Sequence, residues 1–247
     1  MVDPFLLAGL FFLAALLYAT VGHAGASAYL AIMGLLSVAP DVARPTALAL
    51  NIVVASFVAF RFWRGGHLSW RALAPFVVGS VPFAFIGGAL PIAPALYKQL
   101  VGVVLLVAAG LLAWTAQRAA TETGKLPSVP TIPAIVIGSI IGLLSGLTGT
   151  GGGIFLSPIL LFAGWSETRA ASGIASAFIL ANSVAGLAGN VSRLASVPAE
   201  IPLWGGAVIV GAMIGSEIGN RRARAPLLRR ALSVVLVIAG LKLIFVG

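Results

Sequence analysis

The chain has 247 residues, of which 60% are hydrophobic and only 9% are charged, and its mean hydropathy is +1.11. Soluble domains carry about 25% charged residues, so this composition excludes a soluble globular protein and predicts a multi-span integral membrane protein. The chain contains no cysteine, which excludes disulfides, thiolate metal sites and thiol catalysis.

Ten apolar segments follow one another along the chain. The first is not preceded by a basic region, so we interpret it as a retained span rather than a secretory signal. The second and the seventh segments are short, and each follows a glycine-containing turn. The segments are Pro4–Val21, Ser27–Ala39, Ala43–Phe62, Leu73–Leu90, Leu96–Ala116, Ile132–Leu147, Ile154–Trp165, Ala170–Val191, Pro202–Ile218 and Leu227–Phe245.

The order of long, short, long, long and long segments occurs twice. A shift of about 127 residues places Gly22-His23-Ala24-Gly25 on Gly149-Thr150-Gly151-Gly152, and a shift of about 126 places Thr46 on Ser172. We therefore predict an all-α membrane protein built from two inverted repeats. Residues 1–120 form the first repeat, 121–131 a linker loop and 132–247 the second repeat.

The net charge of +9 has two explanations: binding to nucleic acid, or basic cytoplasmic loops of a membrane protein. The basic residues lie between apolar segments, as in the cytoplasmic loops of membrane proteins, so we expect a lipid bilayer and no nucleic acid as partner. If the short segments count as crossings, eleven basic residues fall on one side and four on the other; if they do not, the split is eight to seven. The first alternative fits the positive-inside rule and places both termini outside the cytoplasm. In this alternative, the four basic residues on the side opposite the cytoplasm are Arg44, Lys98, Arg193 and Lys242.

Five glycines lie within eight residues at the start of the stretch Gly146–Leu161. Glycines at this density allow left-handed backbone and let peptide N–H groups point at a ligand. The apolar run that follows, Ile154–Trp165, would cover roughly 18 Å as a helix, whereas a bilayer core is roughly 30 Å thick. The alternative is a plain inter-helix turn, or close helix packing through small residues.

Short, interrupted segments at corresponding positions of two inverted repeats indicate a transporter binding site near the membrane midplane. Helix N-termini carry partial positive charge and unpaired N–H groups, so the expected ligand is a small anion. The glycine-rich turns supply Gly149, Thr150, Gly151, Gly152 and Gly153 in the second half, and Gly22, His23, Gly25 and Ser27 in the first. His23 is also a candidate for carrying a proton, because unperturbed histidine titrates near pH 6.5.

Polar residues within the apolar segments are the second group of candidates, because such residues either line a pathway or bond neighbouring helices. They are Thr46, Asn51, Ser172, Ser176, Asn182 and Ser183. Arg44 with Asp41, and Arg169 with Glu167, are expected to form local ion pairs or to satisfy helix ends. Glu217 is expected to form a salt bridge, and it is the second candidate for proton coupling. The coupling ion, a proton or sodium, and the oligomeric state stay open.

The motifs resemble those of the sulfite exporter TauE/SafE family of membrane permeases. The resemblance rests on Leu147-Thr148-Gly149-Thr150-Gly151-Gly152-Gly153-Ile154-Phe155-Leu156-Ser157-Pro158, on Arg169-Ala170-Ala171-Ser172-Gly173-Ile174-Ala175-Ser176, and on the first-half stretches at Val21–Leu30 and Arg44–Asn51. It implies a cytoplasmic-membrane permease for small sulfur-containing anions such as sulfite or organosulfonates. The first-half turn departs from the second in having fewer glycines and a histidine.

An enzyme is not expected, because two histidines, no cysteine and six scattered acids provide no catalytic or metal-ligand arrangement. The glycine run lacks the Gly-Lys-Ser/Thr ending of a nucleotide-binding loop, and no cofactor is predicted. The hypothesis is an alternating-access permease that exports a small anion, with an anion channel or an intramembrane enzyme as alternatives.

Overall fold

The fold is that of a computed structural model, which describes residues 3–20, 23–115, 128–219 and 225–246. The described residues contain no β-strand. They form ten α-helices and a 3-10 helix at Val191–Ser196. The α-helices are α1 Pro4–Thr20, α2 Ala26–Leu35, α3 Pro40–Arg64, α4 Trp70–Ala89, α5 Pro94–Thr115, α6 Thr131–Thr148, α7 Gly153–Phe162, α8 Thr168–Gly189, α9 Ile201–Gly219 and α10 Ala225–Phe245.

Each predicted apolar segment coincides with one of these helices. Six of them, α3, α4, α5, α6, α8 and α9, are long and apolar enough to cross a membrane by length and composition. The helices α1, α2 and α7 are shorter apolar helices. Many large apolar side chains lie on the outer surface, among them Phe5, Val78 and Ile132. The chain is therefore an all-α, multi-pass integral membrane protein, as the composition predicted.

The helices α4 and α6 run parallel and pack backbone against backbone through glycines. Gly142 lies against Ser80 and Gly146 lies against Ala84. These glycines are four residues apart on α6, the spacing that puts small residues on one helix face. Small residues let membrane helices approach closely, because association there depends on packing and not on burial from water. Gly146 therefore serves helix packing, which is one of the alternatives considered for the glycine-rich stretch.

The other main helix pairs also join a helix of the first half of the chain to a helix of the second half. The helices α1 and α9 are also parallel, because Gly211 packs on Phe12 and Gly215 on Leu16. The helix pair α3 and α8 is antiparallel, since Gly173 lies near Phe62 and Gly186 near Leu48. The helices α5 and α10 pack together as well.

The two short helices return the chain from one end of the molecule to the other. The helices α6 and α8 run in the same direction, so residues 149–167 must lead back across the bundle. In the first half, α3 and α9 run in the same direction, since Arg61 near the end of α3 contacts Ser216 and Glu217 near the end of α9. Because α1 is parallel to α9, the stretch that contains α2, described from residue 23 to residue 39, makes the equivalent return. The helix α7 has 10 residues and covers about 15 Å, and the turn that precedes it, residues 149–152, is buried inside the bundle.

Parts of the predicted organisation fall outside the described residues. These parts are residues 121–127 of the predicted linker and the basic residues Arg118, Lys125, Arg221, Arg222 and Arg224. The division into two repeats and the charge-based orientation therefore stay predictions.

Candidate functional site

The glycine-rich turn joins α6 to α7 inside the bundle. Gly149, Gly151 and Gly152 have φ values of +88°, +72° and +78°, which residues with a Cβ rarely adopt. Gly149 ends α6 by donating its N–H to the Ser145 carbonyl at 2.8 Å, and Gly152 is the N-cap of α7. The first N–H groups of a helix have no acceptor within that helix, so this turn places backbone N–H donors in the protein interior. The sequence prediction of a left-handed glycine turn is confirmed.

Asn51 of α3 and Ser183 of α8 lie directly against this turn. A methyl group added at Gly151 would be 2.8 Å from Asn51 Nδ2 and 3.2 Å from Ser183 Oγ. The same methyl group would lie 2.8 Å from Ile179 Cγ2. Gly151 is therefore needed for its backbone conformation and also for the space that it leaves beside two polar side chains.

Asn182 and Ser145 complete the polar surroundings of the turn. Phe178 contacts Gly152, and Gly186 lies against Gly146. Asn182 lies four residues from both Phe178 and Gly186, so it shares the helix face that they direct at the turn. From α6, the Ser145 Cβ would be 3.5 Å from a methyl group at Gly152. We call Asn51, Ser145, Asn182 and Ser183, with the turn Gly149–Gly153, the central cluster.

Four polar side chains of the central cluster are fully buried, at 0% exposure: Asn51, Ser145, Asn182 and Ser183. Within the described part of the chain, no hydrogen-bond partner is found for either amide atom of Asn51 or Asn182, or for the hydroxyls of Ser145 and Ser183. A buried polar group left without a partner costs about 1–3 kcal/mol. Several such groups around one helix N-terminus are typical of a site that is completed by a ligand.

Arg44 lies beside the central cluster and is only 1% exposed. Its Nε donates to the Gly146 carbonyl at 2.8 Å, and its terminal nitrogens donate to the carbonyls of Gly87 and Leu90. These carbonyls belong to the C-terminal ends of α4 and α6. Its own backbone packs against Gly149, where a methyl group would lie 3.1 Å from the Arg44 carbonyl oxygen. The sequence alternative that Arg44 satisfies helix ends is confirmed, and the exposed Asp41 is not its partner.

A second group of candidates lines a separate pocket along α7. His23 and Ser172 lie there together with Ser157, Thr168 and Ile154. Ser157 is 4% exposed, and no partner for its Oγ is found among the residues described. His23 and Ser172, which we predicted as site residues together with the glycine-rich turn, thus lie in a pocket that adjoins the end of this turn at Ile154. We call it the α7–α8 pocket.

The remaining predicted residues form contacts within the protein. Ser27 is bonded to the Tyr18 hydroxyl at 2.7 Å, Ser176 donates to the Gly173 carbonyl at 2.8 Å, and Thr150 is bonded to the Thr148 hydroxyl at 3.0 Å. Gly25, with φ +101°, is the N-cap of α2. Thr46 is fully buried, and its hydroxyl has no partner among the described residues.

Three side chains near the ends of helices form contacts with other helices: Glu217, Lys242 and Trp204. Gly22 lies outside the described residues. Glu217 forms the predicted salt bridge, at 2.6 Å with Arg61. Lys242 donates to the Leu35 carbonyl at 2.5 Å and so satisfies the C-terminal end of α2. Trp204 is buried and donates its indole N–H to the Pro4 carbonyl at 3.0 Å.

The site residues predicted from the sequence did not include Ser145 and Ser157. Each is a lone serine in an apolar helix, and such a residue usually bonds its own helix or a neighbouring one. The available signal was their spacing: Ser157 lies four residues after Gly153, and Ser145 four residues before Gly149. Within the described residues, no group of histidine, cysteine, aspartate and glutamate side chains has the arrangement of a metal site.

Comparison with known proteins assigns the family. The model of the sulfite exporter TauE/SafE family matches residues 7–243. The chain is 38% identical over 236 residues to the probable membrane transporter protein y4hK of Sinorhizobium fredii, covering 95% of this chain and 96% of that protein. It is 28% identical to the probable membrane transporter protein YjnA of Bacillus subtilis, over 90% of this chain and 92% of the relative. No solved structure matches the chain significantly. A match over nearly the whole chain shows that this membrane transporter belongs to the sulfite exporter TauE/SafE family.

Proposed function

We propose that this transporter moves a small sulfur-containing oxyanion, sulfite or an organosulfonate, across the cytoplasmic membrane, and that the central cluster is its substrate site. The observation that carries this proposal is that Asn51 and Ser183 lie against Gly151 with buried polar atoms that have no hydrogen-bond partner among the described residues, as is also true of Asn182 one residue away on α8. The family name supports the substrate class.

The chemistry of the cluster favours an oxyanion over a cation. Amide Nδ2 groups, serine hydroxyls and the first N–H groups of α7 are all hydrogen-bond donors. The residues that form the cluster include no carboxylate. The N-terminus of α7 contributes about half a positive charge, and the guanidinium of Arg44 bonds the nearby Gly146 carbonyl. A negatively charged group with several oxygens would accept these donors and complete their hydrogen bonding.

The helix directions support an inverted-repeat organisation and thereby alternating access. Exchanging the two halves converts the parallel pair α1 and α9 into the parallel pair α6 and α4. The same exchange returns the pairs α3–α8 and α5–α10 to themselves. Inverted halves around a central site allow each half to rock against the other, which opens the site to one side at a time.

Export requires no energy source beyond the membrane potential. The expulsion of an anion from a negative-inside cell is favourable by about 2.3 kcal/mol per charge per 100 mV. The sequence contains no nucleotide-binding loop, and a concentrating uptake would require a coupled proton or sodium ion. We therefore propose export as the direction of transport.

The test is counterflow of 35S-labelled sulfite in proteoliposomes that contain the purified protein. A carrier accelerates uptake of label when unlabelled sulfite is present on the opposite side, whereas a simple pore does not. The expected result is trans-stimulation by sulfite and by sulfonates, with no chemical turnover of either. Uptake without trans-stimulation would support the channel instead, and chemical conversion of the anion would support an intramembrane enzyme.

Variants of the cluster locate the site. We expect Asn51→Ala and Asn182→Ala each to weaken sulfite transport by about ten- to a hundredfold, because a hydrogen bond to a charged group contributes about 1.5–3 kcal/mol. Asn190→Ala is the matched control, since Asn190 is a buried asparagine at the C-terminal end of α8, beyond the cluster. Normal transport by both cluster variants would contradict the proposed site.

A further inference from the structure

The α7–α8 pocket opens between α5, α7 and the first turn of α8. Its volume is about 20 Å³, which is room for one or two oxygen-sized groups. It is lined along α7 by Ile154 and Ser157, and along α8 by Thr168 and Ser172. Because Ile154 directly follows Gly153, the pocket begins where the central cluster ends. It therefore lies between the central cluster and the end of the bundle at which α7 finishes.

Three features give this pocket the chemistry of a binding site. Ser157 is 96% buried, since its exposure is 4%, and its hydroxyl is without a partner in the described residues. The pocket is lined by the first turn of the 22-residue helix α8, and helix N-termini favour negative charge. His23, from the first half of the chain, also lines the pocket, so both halves of the chain contribute to it.

We propose that the α7–α8 pocket is a second oxyanion site, distinct from the central cluster, which holds the charged head of the substrate on its way to or from that cluster. This inference rests on the proposed function, because it assigns the same class of substrate to both sites. The small volume admits one or two oxygens of an oxyanion head, and the hydroxyls of Ser157, Thr168 and Ser172 supply donors without a competing carboxylate in the lining.

The position along α7 explains why two sites are useful. An ion that left the central cluster directly would lose all of its hydrogen bonds at once. The donors of the α7–α8 pocket are available about one helix turn further along α7, because Ser157 lies four residues after Gly153. A second site at that distance lowers the cost of desolvation along the path and so speeds passage toward this end of the bundle.

The experiment is equilibrium binding of 35S-labelled sulfite to the purified full-length protein, with the number of bound ions per chain as the readout. The test variant is Ser157→Ala, which removes the hydroxyl and adds no volume. Ser157→Thr restores a hydroxyl and is the rescue variant. Ser80→Ala is the matched control, because Ser80 is fully buried and its hydroxyl has no partner among the described residues, but it lies at the α4–α6 contact.

We expect two bound sulfite ions per chain for the unmodified protein, and weakening of one of them by about tenfold in Ser157→Ala. The other ion should keep its affinity in Ser157→Ala and lose it in Asn182→Ala. Ser157→Thr should recover the second ion, and Ser80→Ala should bind both ions normally.

Two results would overturn the inference while leaving the proposed function intact. One is a single bound ion that is lost in Asn182→Ala and unchanged in Ser157→Ala. The other is a higher thermal unfolding temperature of the unmodified protein in sodium chloride than in choline chloride. If this difference disappeared in Ser157→Ala, it would identify a cation site. Absence of any bound sulfite or sulfonate in the unmodified protein would instead contradict the proposed function itself.

Discussion

At the scale of single residues, Arg44 decides how the glycine-rich turn is held. Its side chain satisfies carbonyls at the ends of two helices, and its backbone supports Gly149. It is the one charged side chain that is buried in the described part of the protein. A charge in this position requires hydrogen-bond partners, because an unpaired buried charge is far more costly than a surface one.

We predict that Arg44→Met lowers the free energy of unfolding by about 2–5 kcal/mol, because the carbonyls of Gly87 and Gly146 would lose their donor while staying buried. Thermal unfolding of the purified protein in detergent measures this effect. Arg64→Met is the control, since Arg64 is exposed at the end of the same helix. Equal unfolding temperatures for the two variants would contradict the role assigned to Arg44.

A second prediction at this scale concerns Gly151, which has both a left-handed φ and a polar neighbour. We expect Gly151→Ala to reduce sulfite transport at least about tenfold, because the methyl group would press on Asn51 and Ser183 and a left-handed residue with a Cβ costs roughly 1–2 kcal/mol. Transport in proteoliposomes and thermal unfolding are measured together.

Gly164→Ala separates the two causes of that loss. Gly164 also has a positive φ, +66°, but a methyl group there would meet no atom within 4 Å. It should therefore show the backbone cost alone and keep its transport activity. Equal loss of transport in both variants would show that strain, and not the central cluster, is responsible. A valine at Gly152 is less informative, since it would meet Ile141 and Phe178 in the core.

At the scale of helices, the close packing of α4 against α6 holds in place the end of α6 from which the glycine-rich turn starts. We predict that Gly142→Ala lowers the free energy of unfolding by about 1–3 kcal/mol, because the methyl group would lie 2.7 Å from the Ser80 Cα and would force the helices apart. Thermal unfolding again provides the measurement. Gly110→Ala on α5 is the matched control, with no atom within 4 Å of the added methyl group. The prediction fails if both variants unfold at the same temperature.

At the scale of the whole molecule, each short helix leads the chain back across the bundle. This crossing determines which connections between helices lie on the same side of the membrane. His67 lies against Gly173, so the connection between α3 and α4 and the start of α8 share one end. The alternative in which the short segments do not cross would separate these two places. From the positive-inside rule we predict that this end faces the cytoplasm.

Single cysteines test this assignment, because the natural chain has none. We expect Ala95→Cys, at the exposed start of α5, to react with a membrane-impermeant maleimide in intact bacterial cells. Arg71→Cys and Ala163→Cys, both exposed at the opposite end, should react only after permeabilisation. Labelling of Arg71→Cys and Ala163→Cys from opposite sides would contradict the crossing of the short helices.

The sequence by itself determined the membrane class, the ten helices and the location of the glycine turn. Apolar length and glycine chemistry are local properties, so they can be identified without knowledge of the fold. The family resemblance also depended on local motifs, and the comparison over residues 7–243 confirmed it.

Only the tertiary structure decided which polar residues come together. Asn51 and Ser183 lie 132 residues apart in the chain, and they meet because α3 and α8 pack antiparallel beside Gly151. The same packing places His23 and Ser172 together in the α7–α8 pocket, and it leaves Ser176 bonded within its own helix. A side chain in an apolar helix can bond its own backbone, a neighbouring helix or a ligand, and the sequence contains no measure of that choice. The choice depends on which helix lies opposite, and that is set by contacts between distant parts of the chain.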